Sequence, residues 1–181
     1  MRWAAYCLTM TTLVGARVTL RPAESRDIEA LVRIRSTPEV FARWRGDDIE
    51  GDLRTALGDD DDRNLYVIED NSEVVIGAIQ WAANEDPEYA HASVDLFVDP
   101  RCHGQGLGTD AARTVCAHLI HVVGFHRLVI DPAADNAAAI RCYEKVGFRR
   151  VGTMREYERA TDGTFHDGLL MDLLAADLTP G

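Results

Sequence analysis

Three glycines at alternate positions, Gly104, Gly106 and Gly108, separate two segments of different periodicity in SVDLFVDPRCHGQGLGTDAARTVCAHL (Ser93–Leu119). Ahead of them HASVDLFVDP reads as an apolar strand closed by Pro100, and beyond them Ala111–Val122 reads as an alanine-rich helix. Glycine accepts positive φ and lets the main chain approach a ligand with no Cβ in the way. A glycine run just before a helix leaves several N–H groups pointing outward, and the helix's first-turn amides and dipole add to their field. The junction therefore predicts an anion cradle suited to phosphate. A Walker A loop, G-x4-G-K-[ST], is absent, and the dinucleotide fingerprint G-x-G-x-x-G needs a different third spacing and an early βαβ unit.

The remaining elements set the architecture. Arg17–Arg21 alternates as a strand, and Glu24–Ser36 carries Ile28, Leu31 and Ile34 at helical spacing, with Ser25 as its candidate N-cap and a stop before Pro38. Short helical pieces are predicted at Glu39–Arg43 and Ile49–Leu57, followed by a solvated acidic loop, Gly58–Arg63. NLYVIED and EVVIGAIQWAA flank a tight turn at Asn71–Ser72 and form a hairpin. HRLVID is a further strand, Asn136–Val146 a helix, and FRRVGTMREYER and DGLLMDLL are two final strands. One strand–helix–strand crossover among hairpins is a mixed α/β pattern, not the strict alternation of a doubly wound sheet. The chain of 181 residues is expected to form one domain over 10–181, with 1–9 as an N-terminal extension and Met10 as an alternative start.

A net charge of −11 argues against nucleic acid or an anionic membrane as partner and suits a cationic ligand. Cys7, Cys102, Cys116 and Cys142 are scattered without metal-binding spacing, which fits reduced thiols in a cytoplasmic protein. No apolar run approaches the ~18 residues of a membrane span. His118 and His121 share a helix face without a third ligand in range, so no metal site is expected.

The spacing Arg101-x-x-Gly104-x-Gly106 after VDP resembles the acetyl-coenzyme A loop of the GNAT acetyltransferase superfamily, with His103 where that family usually carries Arg. ADNAAAIRCYEKVGF (Ala134–Phe148) is similar to the family's later motif, in which an Asn precedes a helix that bears Tyr and ends in Gly-Phe. GARVTLRPAESRDIEALVRIRSTPEV is similar to its opening strand and helix, so the matches span most of Gly15 to Leu174. Within the superfamily the chain most resembles aminoglycoside 6'-N-acetyltransferases, and its last two strands also resemble enzymes related to ribosomal-protein N-acetyltransferases. The resemblance implies a largely antiparallel mixed sheet of six to seven strands, splayed at the middle and flanked by helices.

It further implies that the amides from His103 through Gly104, Gln105, Gly106, Leu107 and Gly108 to Thr109 hold the diphosphate of acetyl-CoA. The pantetheine arm would lie along Phe97 and Val98 like an added strand, with Asn136 steadying it and Lys145 in reach of a phosphate. Asp95 alternates away from Val94 and Leu96 into a cleft, as general base or as anchor for an ammonium. An ordinary Asp pKa of ~3.9 is too low for a base here, so burial or a water relay is required. Tyr143 is the candidate general acid at the leaving sulfur. Asp95, Asp131, Asp162 and Asp167 are candidate contacts for a polycationic small-molecule amine, with Trp44 and Trp81 as flat faces. The protein is expected to act as a monomer or homodimer. The competing readings are a protein N-terminal acetyltransferase and a non-catalytic acyl-CoA-binding domain.

Overall fold

Leu65–Ile68 and Ile76–Ile79 are buried at four consecutive positions each, so these two strands are covered on both faces and form the centre of the molecule. The computed structural model describes residues 10–44, 46–58, 63–160 and 163–180. The strands are β1 (Leu13–Val14), β2 (Val18–Pro22), β3 (Asn64–Asp70), β4 (Val75–Asn84), β5 (His91–Val98), β6 (Arg127–Ile130), β7 (Arg149–Arg159) and β8 (Phe165–Leu174). The helices are α1 (Ile28–Arg35), α2 (Pro38–Phe41), α3 (Ile49–Ala56), α4 (Leu107–His118) and α5 (Ala137–Val146). The strands make one eight-stranded sheet in the order β1-β2-β3-β4-β5-β6-β8-β7, antiparallel except between β5 and β6.

The sheet's two faces bury two distinct clusters. Leu31 and Ile34 of α1, Val40 of α2 and Leu53 of α3 pack on Leu65, Val67, Ala78 and Phe97. Ala111, Ala112, Val115 and Cys116 of α4, with Ile140, Tyr143 and Val146 of α5, pack on Leu20, Tyr66, Ile79, Trp81 and Val94. Burying one such aliphatic side chain contributes about 1.5–3 kcal/mol, so each helix is held by its apolar stripe more than by local propensity.

The sheet opens where a site is needed. β4 and β5 pair along their whole length, from Gly77 opposite Val98 to Asn84 opposite His91. β5 and β6 pair only at Ala92–Leu128 and Ser93–Val129. Beyond Ile130 the chain is drawn to β8, where Leu169 N donates to Pro132 O and Ala134 N to Asp167 O, both at 2.8 Å. Val94–Val98 therefore keep one edge without a neighbouring strand among the described residues.

Several boundaries differ from expectation for physical reasons. The sheet has eight strands rather than six to seven because Leu13–Val14 adds a short edge. α4 begins at Leu107, four residues before Ala111, because Gly106 at φ 81° makes the left-handed turn that lets the helix start at once. Its end widens into a π turn, Leu119–Val123, in which Gly124 at φ 96° donates its amide to Leu119 O at 3.0 Å. Ser25 is not the cap of the first helix: Glu24 and Asp27 form a reciprocal capping box around the short turn Ser25–Asp27. Residues 1–9, most of the acidic loop (59–62) and Asp162 lie outside the described residues. Among those described, no helix is long and apolar enough to cross a membrane.

Candidate active site

The loop between β5 and α4 is built from its own short contacts. Asp99 N donates to Ile76 O at 2.7 Å and closes the strand end. Its buried carboxylate accepts the Arg101 amide at 3.0 Å and the Arg101 guanidinium at 2.6 Å, which holds it below the usual carboxylate range. Gly104 and Gly106 follow at φ 74° and 81°, and a Cβ on Gly104 would meet nothing within 4 Å. The backbone thus curls around open space. The first intrahelical bond is Asp110 N to Gly106 O at 3.0 Å, which leaves the amides of Leu107, Gly108 and Thr109 without a helical acceptor. Among the described residues no side chain caps them.

Two details narrow the expected cradle. The His103 amide donates to Pro100 O at 3.1 Å, so the outward amides begin at Gly104 rather than His103. The His103 ring instead places Nε2 2.9 Å from Val98 O, tying the loop to the end of β5. The Gln105 side chain turns back to Arg101 O at 3.1 Å, and Thr109 Oγ1 lies 3.2 Å from Cys142 Sγ, so these side chains brace the loop.

A residue that the sequence did not single out fastens this loop to the far side of the sheet. Asp110, buried in the first turn of α4, accepts the amides of Ala16 (3.3 Å), Arg17 (2.7 Å) and Val18 (3.2 Å). Gly15 must be glycine for this approach, since a Cβ there would stand 2.6 Å from both Asp110 Oδ2 and Thr114 Oγ1.

The second half of the site is the cleft where β5 and β6 part. Asp95 shares a sheet face with Phe97, two residues on, and its Oδ1 accepts the Leu96 amide at 2.9 Å. The residue is exposed at the surface, yet protein surrounds its carboxyl in depth. The enclosure decides its ionisation, because the hydration beyond the first water layer is lost. This desolvation, aided by the negative charges of Asp131 and Glu158, pushes the Asp95 pKa up to about 8 against the opposing pull of the Leu96 amide and Arg35. Tyr143 projects from α5 into the other sheet face, 5% exposed and edge-on to Phe148 at 6.0 Å. Burial, then Asp95, Cys142 and Asp131, raise its pKa well above the ordinary phenol value. Asp95 and Tyr143 belong to opposite faces, and the Asp95 charge acts on the Tyr143 phenol across the opened part of the sheet.

The remaining candidates divide. Asp131, just past β6, belongs to the cleft and accepts a hydrogen bond from Tyr157, raising that phenol to about 12. Trp44 lies over the Asp95 face, edge-on to Phe97 at 4.9 Å, with the Arg35 guanidinium carbon 5.4 Å from its ring centre. Trp81 is elsewhere: it is 4% exposed on the α4 face, against Phe125. Asp167 accepts the Glu156 amide at 2.8 Å and thereby fixes the irregular stretch of β7 between Met154 and Glu158. Asn136 caps α5 through the Ala139 amide at 3.2 Å. Phe97 is buried in the core, so it and Leu107 offer main chain rather than side chain to a ligand. Lys145 is exposed near the end of α5. Glu158 and Tyr157 were missed because the alternation of β7 breaks at its bulge, a register shift that periodicity cannot reveal. Among the described residues no cluster of three or more His, Cys, Asp or Glu is arranged to hold a metal ion.

The loop fits a coenzyme A thioester on its own geometry: left-handed glycines, open space at Gly104 and free first-turn amides suit a diphosphate. Comparison with known proteins agrees. A spermidine N(1)-acetyltransferase of Escherichia coli K12 is 24% identical over 174 residues, covering 91% of this chain and 92% of its own. An aminoglycoside N(6')-acetyltransferase type 1 of Klebsiella pneumoniae is 27% identical over 157 residues, 76% of each chain. The solved structure of Mycobacterium smegmatis RimJ in complex with CoA-disulfide superposes with a TM-score of 0.79 at 23% identity, over 96% of this chain and 91% of that one. The family model described as acetyltransferase (GNAT) domain matches residues 17–149, and the chain belongs to that family, whose members draw their acetyl group from acetyl-CoA.

Proposed function

We propose that this N-acetyltransferase acts on a primary amine of a polycationic small molecule, either an aminoglycoside at its 6'-amine or a linear polyamine such as spermidine. The observation that carries the reading is the convergence of Asp95, Asp131 and Glu158 where the sheet opens. The negative charges of Asp131 and Glu158 add to the burial that raises Asp95, and a bound cation relieves that repulsion. The half-buried Trp44 ring on the same face adds a flat surface for an ammonium or a sugar ring. Relatives named for spermidine and for aminoglycosides support the same acceptor chemistry.

When bound, acetyl-CoA supplies a thioester carbonyl as electrophile and a thiolate as leaving group. The chain's residues handle the acceptor. An alkylammonium entering beside Asp95 finds a carboxyl whose pKa of about 8 lies far closer to its own than an ordinary Asp's. Asp95 takes the proton that the amine must lose and becomes neutral, while the negative charges of Asp131 and Glu158 hold the remaining ammonium groups. Tyr143, kept protonated by burial, donates from its hydroxyl to the departing sulfur. No covalent enzyme intermediate is required.

The test is thiol release from acetyl-CoA with a panel of aminoglycosides, linear polyamines and peptides with free N-termini. Turnover on members of the first two groups is expected. Turnover on peptides alone moves the acceptor to protein N-termini, and absence of turnover on every amine leaves only an acyl-CoA-binding role.

A further inference from the structure

The geometry points to Arg17 as a cofactor-anchoring residue: from the entrance of β2 it gives the amide cradle between β5 and α4 a formal positive charge directed at the phosphates of coenzyme A. The inference rests on the acetyl-CoA reading of that loop and adds a residue to it. Three observations carry it. Arg17 Nη1 donates to the carbonyl of Gln105, inside the loop, although the two residues are 88 positions apart. The same nitrogen lies 3.5 Å from where a Cβ on Gly106 would stand, so the guanidinium borders the glycine at the helix start. The Arg17 amide is itself held at 2.7 Å by Asp110 of α4, so the root of the side chain moves with the helix that supplies the cradle.

Charge makes this placement matter. Coenzyme A brings a diphosphate and a ribose phosphate to a chain with net charge −11. Main-chain amides and a helix dipole contribute only partial charges. Nearby arginines are engaged otherwise: Arg101 is paired with Asp99 at 2.6 Å, and Arg113 donates to Thr179 O at 3.2 Å and Lys145 O at 3.1 Å. Arg17 is exposed, and its contact to Gln105 O leaves other guanidinium N–H groups to face a phosphate. A charge-assisted contact of this kind is stronger than a neutral hydrogen bond.

Calorimetric titration of acetyl-CoA into the wild type, Arg17→Gln and Arg17→Lys tests this. Gln keeps a donor for Gln105 O and removes the charge; Lys keeps the charge. Arg17→Gln is expected to weaken binding by about tenfold or more and to flatten its salt dependence. Arg17→Lys is expected to stay within about threefold of the wild type, and the KM for the amine is expected to change little in both. Wild-type affinity in Arg17→Gln, or equal loss in both variants, overturns the inference and leaves the cradle standing. A wild type that does not bind acetyl-CoA overturns the cradle and the inference together.

Discussion

Replacing Asp95 by Asn removes one ionisation while keeping size and shape, and its consequences follow from a folded-state pKa of about 8. At pH 7 a carboxyl with that pKa is ionised in about one molecule in ten, and at pH 9 in about nine in ten. The wild-type kcat/KM is therefore expected to rise about tenfold over that interval through the enzyme's own titration. The acceptor amine also titrates, nearer pH ~10, but equally for both proteins. In Asp95→Asn the break near pH 8 should disappear and the rate fall at least about tenfold, toward the 10²–10⁴-fold typical of a lost general base. Affinity for acetyl-CoA, measured by calorimetry, should be retained. Stability gives a second readout. The unfolded-state pKa is ~3.9, so between about pH 4 and pH 8 the folded protein holds a proton that the unfolded chain releases. Wild-type stability must decline across that window as pH rises, whereas the Asn variant feels no such decline. The Tm advantage of Asp95→Asn should grow from pH 5 to pH 8.5, by an amount that water in the open cleft keeps small. A variant that keeps the break near pH 8, or one that loses Tm relative to the wild type as pH rises, refutes the reasoning.

Gly106→Ala places a Cβ on a residue at φ 81°, which costs about 1–2 kcal/mol and is expected to lower acetyl-CoA affinity in the same calorimetric assay. Asp110→Ala strips the acceptor from three amides, and an expected loss of about 1–3 kcal/mol should appear as a Tm lower by roughly 2–12 °C, with weaker cofactor binding because the loop and β2 come apart. Tyr143→Phe should fold normally and lose about tenfold in kcat with little change in the KM for acetyl-CoA, as steady-state kinetics would report.

Much of this arrangement was legible in the sequence wherever local chemistry fixes it. Alternate glycines before an alanine-rich stretch gave the loop and its ligand class, since only glycine turns through positive φ at Gly104 and Gly106 without strain. Asn136 marked a helix start, and Gly147 at φ 118° marked its end. What escaped depends on contacts between distant segments. The clamp from Asp110 to residues 16–18 spans more than ninety positions and has no periodic trace. Glu158 and Tyr157 reach the cleft only because β7 bulges, with Glu156 at φ 51°. By sequence alone Trp81 is a possible ligand face, because its position cannot say which side of β4 holds α4; packing against Phe125 gives it a core role. Periodicity assigns faces within a strand, and only the topology assigns which face carries which helices.

Charge selection at the opened sheet can be measured directly by comparing kcat/KM for spermidine with that for a simple monoamine, in the wild type and in Asp131→Asn. The wild type is expected to prefer the polyamine by about tenfold or more, and the variant to lose most of that preference while its affinity for acetyl-CoA is unchanged. An equal preference in both proteins, or none in either, contradicts an acceptor cleft built on these carboxylates.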